Sequence, residues 1–191
     1  MRTPEFDREQ VLRQAMEAFR VKGYAATTMQ DLVQATGLHP GSIYCAFQNK
    51  RGLLEAAVDY YIQLRGEALE QLLSQTSPLA GIAAFLQDVI AESQSCNSAS
   101  CLLNKTLSEL ASQDEAMRER LCHFLKAYEQ RLCQAVQAAQ AAGEIDRTAA
   151  AEDLTRFLVV GVHGLRTYAY THPSRAALED VVQRLLRGLQ G

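Results

Sequence analysis

TMQDLVQATGLHPGSIYCAFQNK, residues 28–50, is the stretch that decides the fold. Thr28 is a natural helix N-cap, and Asp31, three residues on, makes an approximate capping box. A short helix follows, with Met29, Leu32, Val33 and Ala35 expected to face inward and Gly37 to end it. Leu38 reads as a buried turn residue. Pro40 puts its fixed φ at the favoured first position of a second short helix, anchored inward by Ile43 and Phe47, four residues apart. Asn49 can cap another helix that opens at Lys50. Two short helices joined by Thr36-Gly37-Leu38 make a helix-turn-helix.

Outward from this stretch the chain reads as helix throughout. A first helix, about Asp7 to Lys22, carries Val11, Leu12, Ala15, Ala18 and Phe19 at helical spacing and stops at Gly23. The fourth helix continues to about Gln75, and Pro78 and Gly81 break the pattern. A fifth runs from about Leu79 to Glu92, and the polar stretch SQSCNSAS, residues 93–100, reads as a loop. The sixth starts near Ser98 to Cys101 and carries Leu102, Leu103, Leu107 and Leu110. The seventh, Asp114 to about Ala142, has the stripe Met117, Leu121, Leu125, Tyr128, Leu132 and Val136. The eighth, about Ala149 to Thr171, holds FLVVGVHGL, apolar nearly all round and so expected to be buried on several sides. The ninth, Ala176 to Arg187, presents Leu178, Val182, Leu185, Leu186 and, just beyond it, Leu189. Nothing alternates with period two. The expected class is all-α with about nine helices: a three-helix domain over 1–50, a linking fourth helix, and a helical domain over 51–191.

Composition bounds the function. The 191 residues are 48% hydrophobic and 21% charged, ordinary for a globular protein. No apolar run approaches the ~20 residues that cross a bilayer, and MRTPEFDREQ lacks the apolar centre of a secretory signal. A cytoplasmic protein with no membrane partner is expected, its five cysteines reduced thiols. No CxxC or HxxxH spacing occurs, so neither metal nor cofactor is expected. Cys122 and Cys133 lie three helical turns apart, roughly 16 Å, too far to bridge within one chain. Adjacent Cys122 and His123 point differently on a helix, against a nucleophile–base pair. The net charge is −3, with +1 through residue 65 and −4 beyond it. That asymmetry has the sign of a DNA-facing N-terminus but is weak.

The stronger signal is the outward face of the second short helix: His39, Pro40, Gly41, Ser42, Tyr44, Cys45 and Ala46. It holds no acid and nothing long in its first turn, so a phosphate backbone can come close. Gly41 permits the nearest approach, Ser42 and Tyr44 can donate to phosphate oxygens, and Lys50 stands at a helix N-terminus that favours an anion. A generic helical hairpin with a polar outer face would read the same way.

The run GYAATTMQDLVQATGLHPGSIYCAFQNKRGLLEAA, residues 23–57, resembles the DNA-binding domain of the TetR/AcrR family of bacterial regulators. The residues at the family's spacings are Gly37, Leu38, Gly41, Ser42, Ile43, Tyr44, Phe47, Lys50 and Leu53; Cys45 is a departure, standing where a polar or aromatic residue is commoner. The resemblance implies that Thr28, Tyr44 and Lys50 hold phosphates and that His39, Pro40, Ser42 and Cys45 approach base edges. It implies a homodimer on a roughly palindromic double-stranded operator, with half-sites about one helical turn apart or a multiple of it. It implies a transcriptional regulator rather than an enzyme, usually a repressor, released by a small-molecule effector.

The resemblance also assigns the C-terminal half. The last two helices pair across a two-fold axis, with Gly161, Gly164, Leu165, Val182, Leu185 and Leu186 as candidate interface residues; packing within one chain is the other role for the two glycines. An effector pocket falls among the fourth to eighth helices. Its candidate lining is Tyr60, Phe85, Phe124, Tyr128, Phe157, His163 and Arg166, each more readily read as plain core or interface. SASCLLNKTLSEL, residues 98–110, resembles the region where oxidant- and electrophile-sensing relatives carry a reactive cysteine. There Cys101 would gain reactivity from a helix N-terminus and Lys105, and Cys96 could resolve it. A helical cysteine enzyme or an interaction scaffold would leave the 28–50 pattern unexplained.

Overall fold

The computed structural model describes residues 6–75, 77–94, 101–171 and 173–191. Among them the chain forms nine helices and no strand: α1 (Arg8–Lys22), α2 (Met29–Thr36), α3 (Pro40–Phe47), α4 (Lys50–Leu73), α5 (Pro78–Gln94), α6 (Leu102–Leu110), α7 (Glu115–Ala141), α8 (Ala151–Ala169) and α9 (Arg175–Gln190). Local chemistry sets the boundaries. The Asp7 carboxylate caps α1 by accepting from the Glu9 and Gln10 amides. Thr28 and Asp31 complete a capping box at α2, Gly37 ends α2 in the left-handed conformation, and Pro40 opens α3. The Asn49 side-chain Oδ1 accepts from the Gly52 amide at the start of α4. Cys101, expected in the first turn of α6, is instead its N-cap residue. Cys96 and the rest of the 95–100 stretch lie outside the described residues.

The helices divide into two compact units. One comprises residues 1–65 and 99–121, the other 66–98 and 122–191. The first therefore contains the expected domain over 1–50 but is larger, because α6 and the start of α7 pack with it. In it Leu12, Ala15 and Phe19 from α1, Leu32 from α2, Ile43 and Phe47 from α3, Leu53 and Leu54 from α4 and Leu102 and Leu103 from α6 are buried. Full burial of a side chain such as Phe19 or Ile43 contributes about 1.5–3 kcal/mol. Two of the expected inward faces are narrower: on α2 Leu32 and Thr36 are buried, while Met29, Val33 and Ala35, like Leu38 in the turn, are half-buried.

In the second unit α5, α8 and α9 pack on one another. Their core joins Phe85, Leu86, Val89 and Ile90 to Leu158, Val162 and Leu165, and to Leu178, Val182, Leu185 and Leu189; Leu132, Val136 and Ala139 of α7 complete it. An ion pair between Arg166 and Glu92, 2.9 Å apart and largely buried, ties α8 to α5.

The expectation that FLVVGVHGL is buried on several sides is not met within one chain. Leu158, Val162 and Leu165 face the core, while Phe157 and Val160 are 45% and 70% exposed. The expected dimer contacts divide the same way. Leu165, Val182 and Leu185 are already buried in the unit's own core, so a second copy cannot reach their side chains, and Leu186 is half-buried against it. Gly161 serves packing within the chain: a Cβ there would overlap the Leu185 methyl groups of α9. Gly164 differs, with open space above it. The apolar stripe left facing outward on α8 is Phe157, Val160, Gly164 and Tyr168.

Candidate nucleic-acid interface

The site is α3 and the two chain ends that fix it. Ile43 and Phe47 hold α3 from below, 0% and 4% exposed. The Arg8 guanidinium lies over the Phe47 ring, 4.9 Å from its centroid. At the far end Gln48 has φ +67°, a strained conformation for a residue with a Cβ, and turns the chain into α4. Neither Arg8 nor Gln48 was marked by the sequence pattern, because both act through packing and backbone geometry.

His39, Pro40, Gly41, Ser42, Tyr44 and Cys45 are all exposed on the outer side of α3. His39 is the N-cap residue, and its Nδ1 accepts from the Gly41 amide at 3.3 Å. A neutral ring then carries its proton on Nε2, as an outward donor. The Ser42 and Tyr44 hydroxyls have no hydrogen-bond partner among the described residues, and Tyr44 is 51% exposed. Thr28 and Lys50 differ from this group. The Thr28 hydroxyl already donates to Asp31 Oδ2 at 2.8 Å and accepts from the Asp31 amide at 3.1 Å. The Lys50 ammonium donates to the Tyr24 and Thr27 carbonyls, each at 2.9 Å, and lies 4.3 Å from the Tyr24 ring centroid. As placed, Lys50 holds the α1–α2 connection.

Asp31 supports the cap. Hydrogen bonds from Lys22, 2.6 Å away, and from the Thr28 amide and hydroxyl hold its carboxyl at about 2, below the usual 3.8. Across the outer side of α3 there is no acidic residue. What the surface offers is hydrogen-bond donors on a short helix with no competing negative charge.

The amino-acid sequence matches two family models. Residues 11–57 match bacterial regulatory proteins of the tetR family, and residues 78–185 match the tetracyclin repressor-like C-terminal domain. The chain belongs to the TetR family. This TetR-family regulator is 31% identical over 192 residues to the HTH-type transcriptional repressor ComR of Escherichia coli, covering 95% of the chain and 88% of ComR. Among solved structures, it is similar to a cysteine variant of the TetR-family regulator CifR, complexed with 26 bp double-strand operator DNA, with a TM-score of 0.85 and 28% identity over 97% of the chain and 98% of CifR. A TetR regulator from Chloroflexus aurantiacus gives a TM-score of 0.81 at 28% identity, covering 94% and 92%. The chain is thus a DNA-binding transcriptional regulator, of a family that does not consist of enzymes. Among the described residues, no helix is long and apolar enough to cross a membrane.

The residues expected to line an effector pocket are divided between the two units. Tyr60 belongs to the first unit, where it accepts from Arg13 and donates to Glu9, each at 3.3 Å. In the second unit Phe85, Tyr128 and Phe124 form a chain of rings, with centroids 6.1 and 5.7 Å apart. Phe85 is wholly buried, and Phe157 points outward over Gly188. His163 is held below its usual pKa by burial and by the Arg166 charge beside it. A cleft of about 310 Å³ in this unit is lined by other residues, among them Lys126, Cys133, Glu152 and Arg156. The cysteines also depart from expectation. Cys101 is 6% exposed, with the Tyr61 hydroxyl 3.6 Å from its Sγ. Lys105 is directed at carbonyls of α1. Cys45 is the exposed thiol among the four described cysteines, none of which is paired.

Proposed function

We propose that this chain is a homodimeric repressor that works in the cytoplasm, binds a roughly palindromic operator through α3, and is released by a small-molecule effector held in its second unit. The observation that carries the reading is the outer side of α3: free Ser42 and Tyr44 hydroxyls, an outward His39 donor and no acid. Ser42 and Tyr44 reach phosphates, and Gly41 lets the backbone come close. His39, Pro40 and Cys45 face base edges in the major groove. Thr28 and Lys50 act through the geometry of the cap and loop that they hold. The operator complex of CifR, 28% identical, supports the assignment. α3 is only eight residues long, so one copy reads few base pairs, and the second copy docks through the apolar stripe of α8.

The effector reading rests on membership of the TetR family and on the second unit, whose half-buried Phe124 and Tyr128 rings, 5.7 Å apart, offer an apolar contact. Oxidation or electrophile modification of Cys101 is the second reading. Its helix-end position favours it; its burial and the direction of Lys105 do not. A gel shift with DNA flanking the gene of this chain tests the central reading. Retardation lost on Tyr44→Phe plus Ser42→Ala supports it, and retardation unchanged in that double variant contradicts it.

A further inference from the structure

Residues 23–27, Gly-Tyr-Ala-Ala-Thr, connect α1 to α2 and carry no charge of their own. Three charged side chains from elsewhere in the first unit end on this connection or on the turn before it. Lys50 donates to the Tyr24 and Thr27 carbonyls. Lys105 on α6 donates to the Val21 carbonyl at 2.7 Å and the Arg20 carbonyl at 3.3 Å, where a cation complements the C-terminal end of α1. Glu109, one turn further along α6, accepts from the Ala25 amide at 2.9 Å. Gly23, with φ +83°, makes that approach possible: a Cβ would overlap the Glu109 carboxylate. The polarity alternates in register. A cation meets the last carbonyls of α1, and an anion meets an amide of the loop that follows.

We propose that Glu109 is a positioning residue for DNA binding, which with Lys105 and Lys50 holds the 23–27 connection, and through it the Thr28 cap, in the geometry that α2 and α3 present to DNA. The proposal rests on the reading of α3 as the DNA-facing helix. A connection already held needs no ordering when DNA arrives; a loosened one must be ordered at the expense of affinity. Glu109 is the decisive member because the ordinary electrostatic effect has the opposite sign. A carboxylate in a DNA-binding unit repels phosphate, so deleting it would strengthen binding if charge were its whole contribution.

The test uses the full-length protein, with duplex DNA flanking its own gene, in a salt series. It is paired with hydrogen exchange at the Ala25 amide, which needs no DNA. Glu109→Asp keeps the charge but loses the reach; Glu109→Gln loses the charge but keeps an acceptor oxygen. Glu109→Asp is expected to bind about three- to tenfold more weakly, part of what a charge-assisted hydrogen bond contributes, with the salt slope unchanged and Ala25 exchange accelerated. Glu109→Gln is expected to bind at least as tightly as wild type, with Ala25 still protected. The reverse order, or equal behaviour of both variants and wild type, overturns the proposal. Unchanged Ala25 exchange in Glu109→Asp also overturns it. If wild type itself leaves this DNA unbound, the DNA reading fails, while the exchange result still decides whether Glu109 holds the loop.

Discussion

The outer side of α3 and the outer side of α8 are both left uncovered by the chain, and they are chemical opposites. α3 exposes hydroxyls, an imidazole, a thiol and a glycine, with no carbon-rich side chain beyond the Tyr44 ring and Pro40. α8 exposes Phe157, Val160 and Tyr168 beside the bare Gly164. Unpartnered donors favour an acceptor-rich, anionic surface; an uncovered apolar stripe favours another apolar stripe. In the proposed function the contrast separates two kinds of partner on one chain, nucleic acid at α3 and a second copy at α8. It also says which substitutions should affect one partner without the other.

The largest effect belongs to α8. Val160→Asp places a charge in the stripe without touching the protomer core, since Val160 is 70% exposed. An unpaired charge buried at an interface costs ~3–5 kcal/mol, so the proposed homodimer predicts that sedimentation shows monomers for the variant and dimers for wild type, with operator binding falling alongside. A dimeric Val160→Asp protein would move the interface to another surface.

Lys50 comes next and separates a phosphate contact from a structural hold. With its ammonium on the Tyr24 and Thr27 carbonyls, Lys50→Ala should destabilise the first unit by about 1–3 kcal/mol and weaken operator binding. The dependence of log affinity on log salt should stay as in wild type. A slope shallower by about one unit would return Lys50 to the phosphate contacts. On α3 itself Tyr44→Phe removes one unpartnered donor, so a loss of about 1 kcal/mol, roughly fivefold in affinity, is expected with dimerisation intact. Equal affinity of Tyr44→Phe and wild type would take the hydroxyl out of the contact.

The smallest effect is in the Thr28–Asp31 cap that opens α2. Asp31 has its folded pKa near 2, below the usual 3.8, so its ionised form is favoured by folding. That contribution is fully present above about pH 4 and is lost as pH falls through 2. Asp31→Asn should therefore be less stable than wild type at neutral pH, by an amount that shrinks between pH 4 and 2 in denaturant titrations. A pH-independent difference would remove the Lys22–Asp31 charge from the account.

Most of the DNA-facing region was legible in the sequence because its determinants are local. Thr28, Gly37 and Pro40 act within a turn of themselves, Asp31 completes its capping box there, and Ile43 and Phe47 show as apolar residues at helical spacing; each is where the pattern put it. The rest depended on distant partners. Nothing near Lys50 or Lys105 indicates that their ammonium groups end on carbonyls 23 to 85 residues away. Glu109 is silent in the sequence for the same reason, its amide partner lying 84 residues earlier. In FLVVGVHGL every side is apolar, so periodicity could not tell the core side from the outward one. Hence Leu165 was expected at the interface, and Phe157 among the candidates for the effector pocket.

Cys45 tests the central claim most directly, because it sits on the outer side of α3 while Cys101 is buried. Alkylation of the native protein, followed residue by residue with mass mapping, should modify Cys45 first. Saturating DNA from the flank of its own gene should then protect Cys45 and leave the slow rate at Cys101 unchanged. Cys45 labelled as fast on bound DNA as in the free protein would mean that α3 does not face the operator.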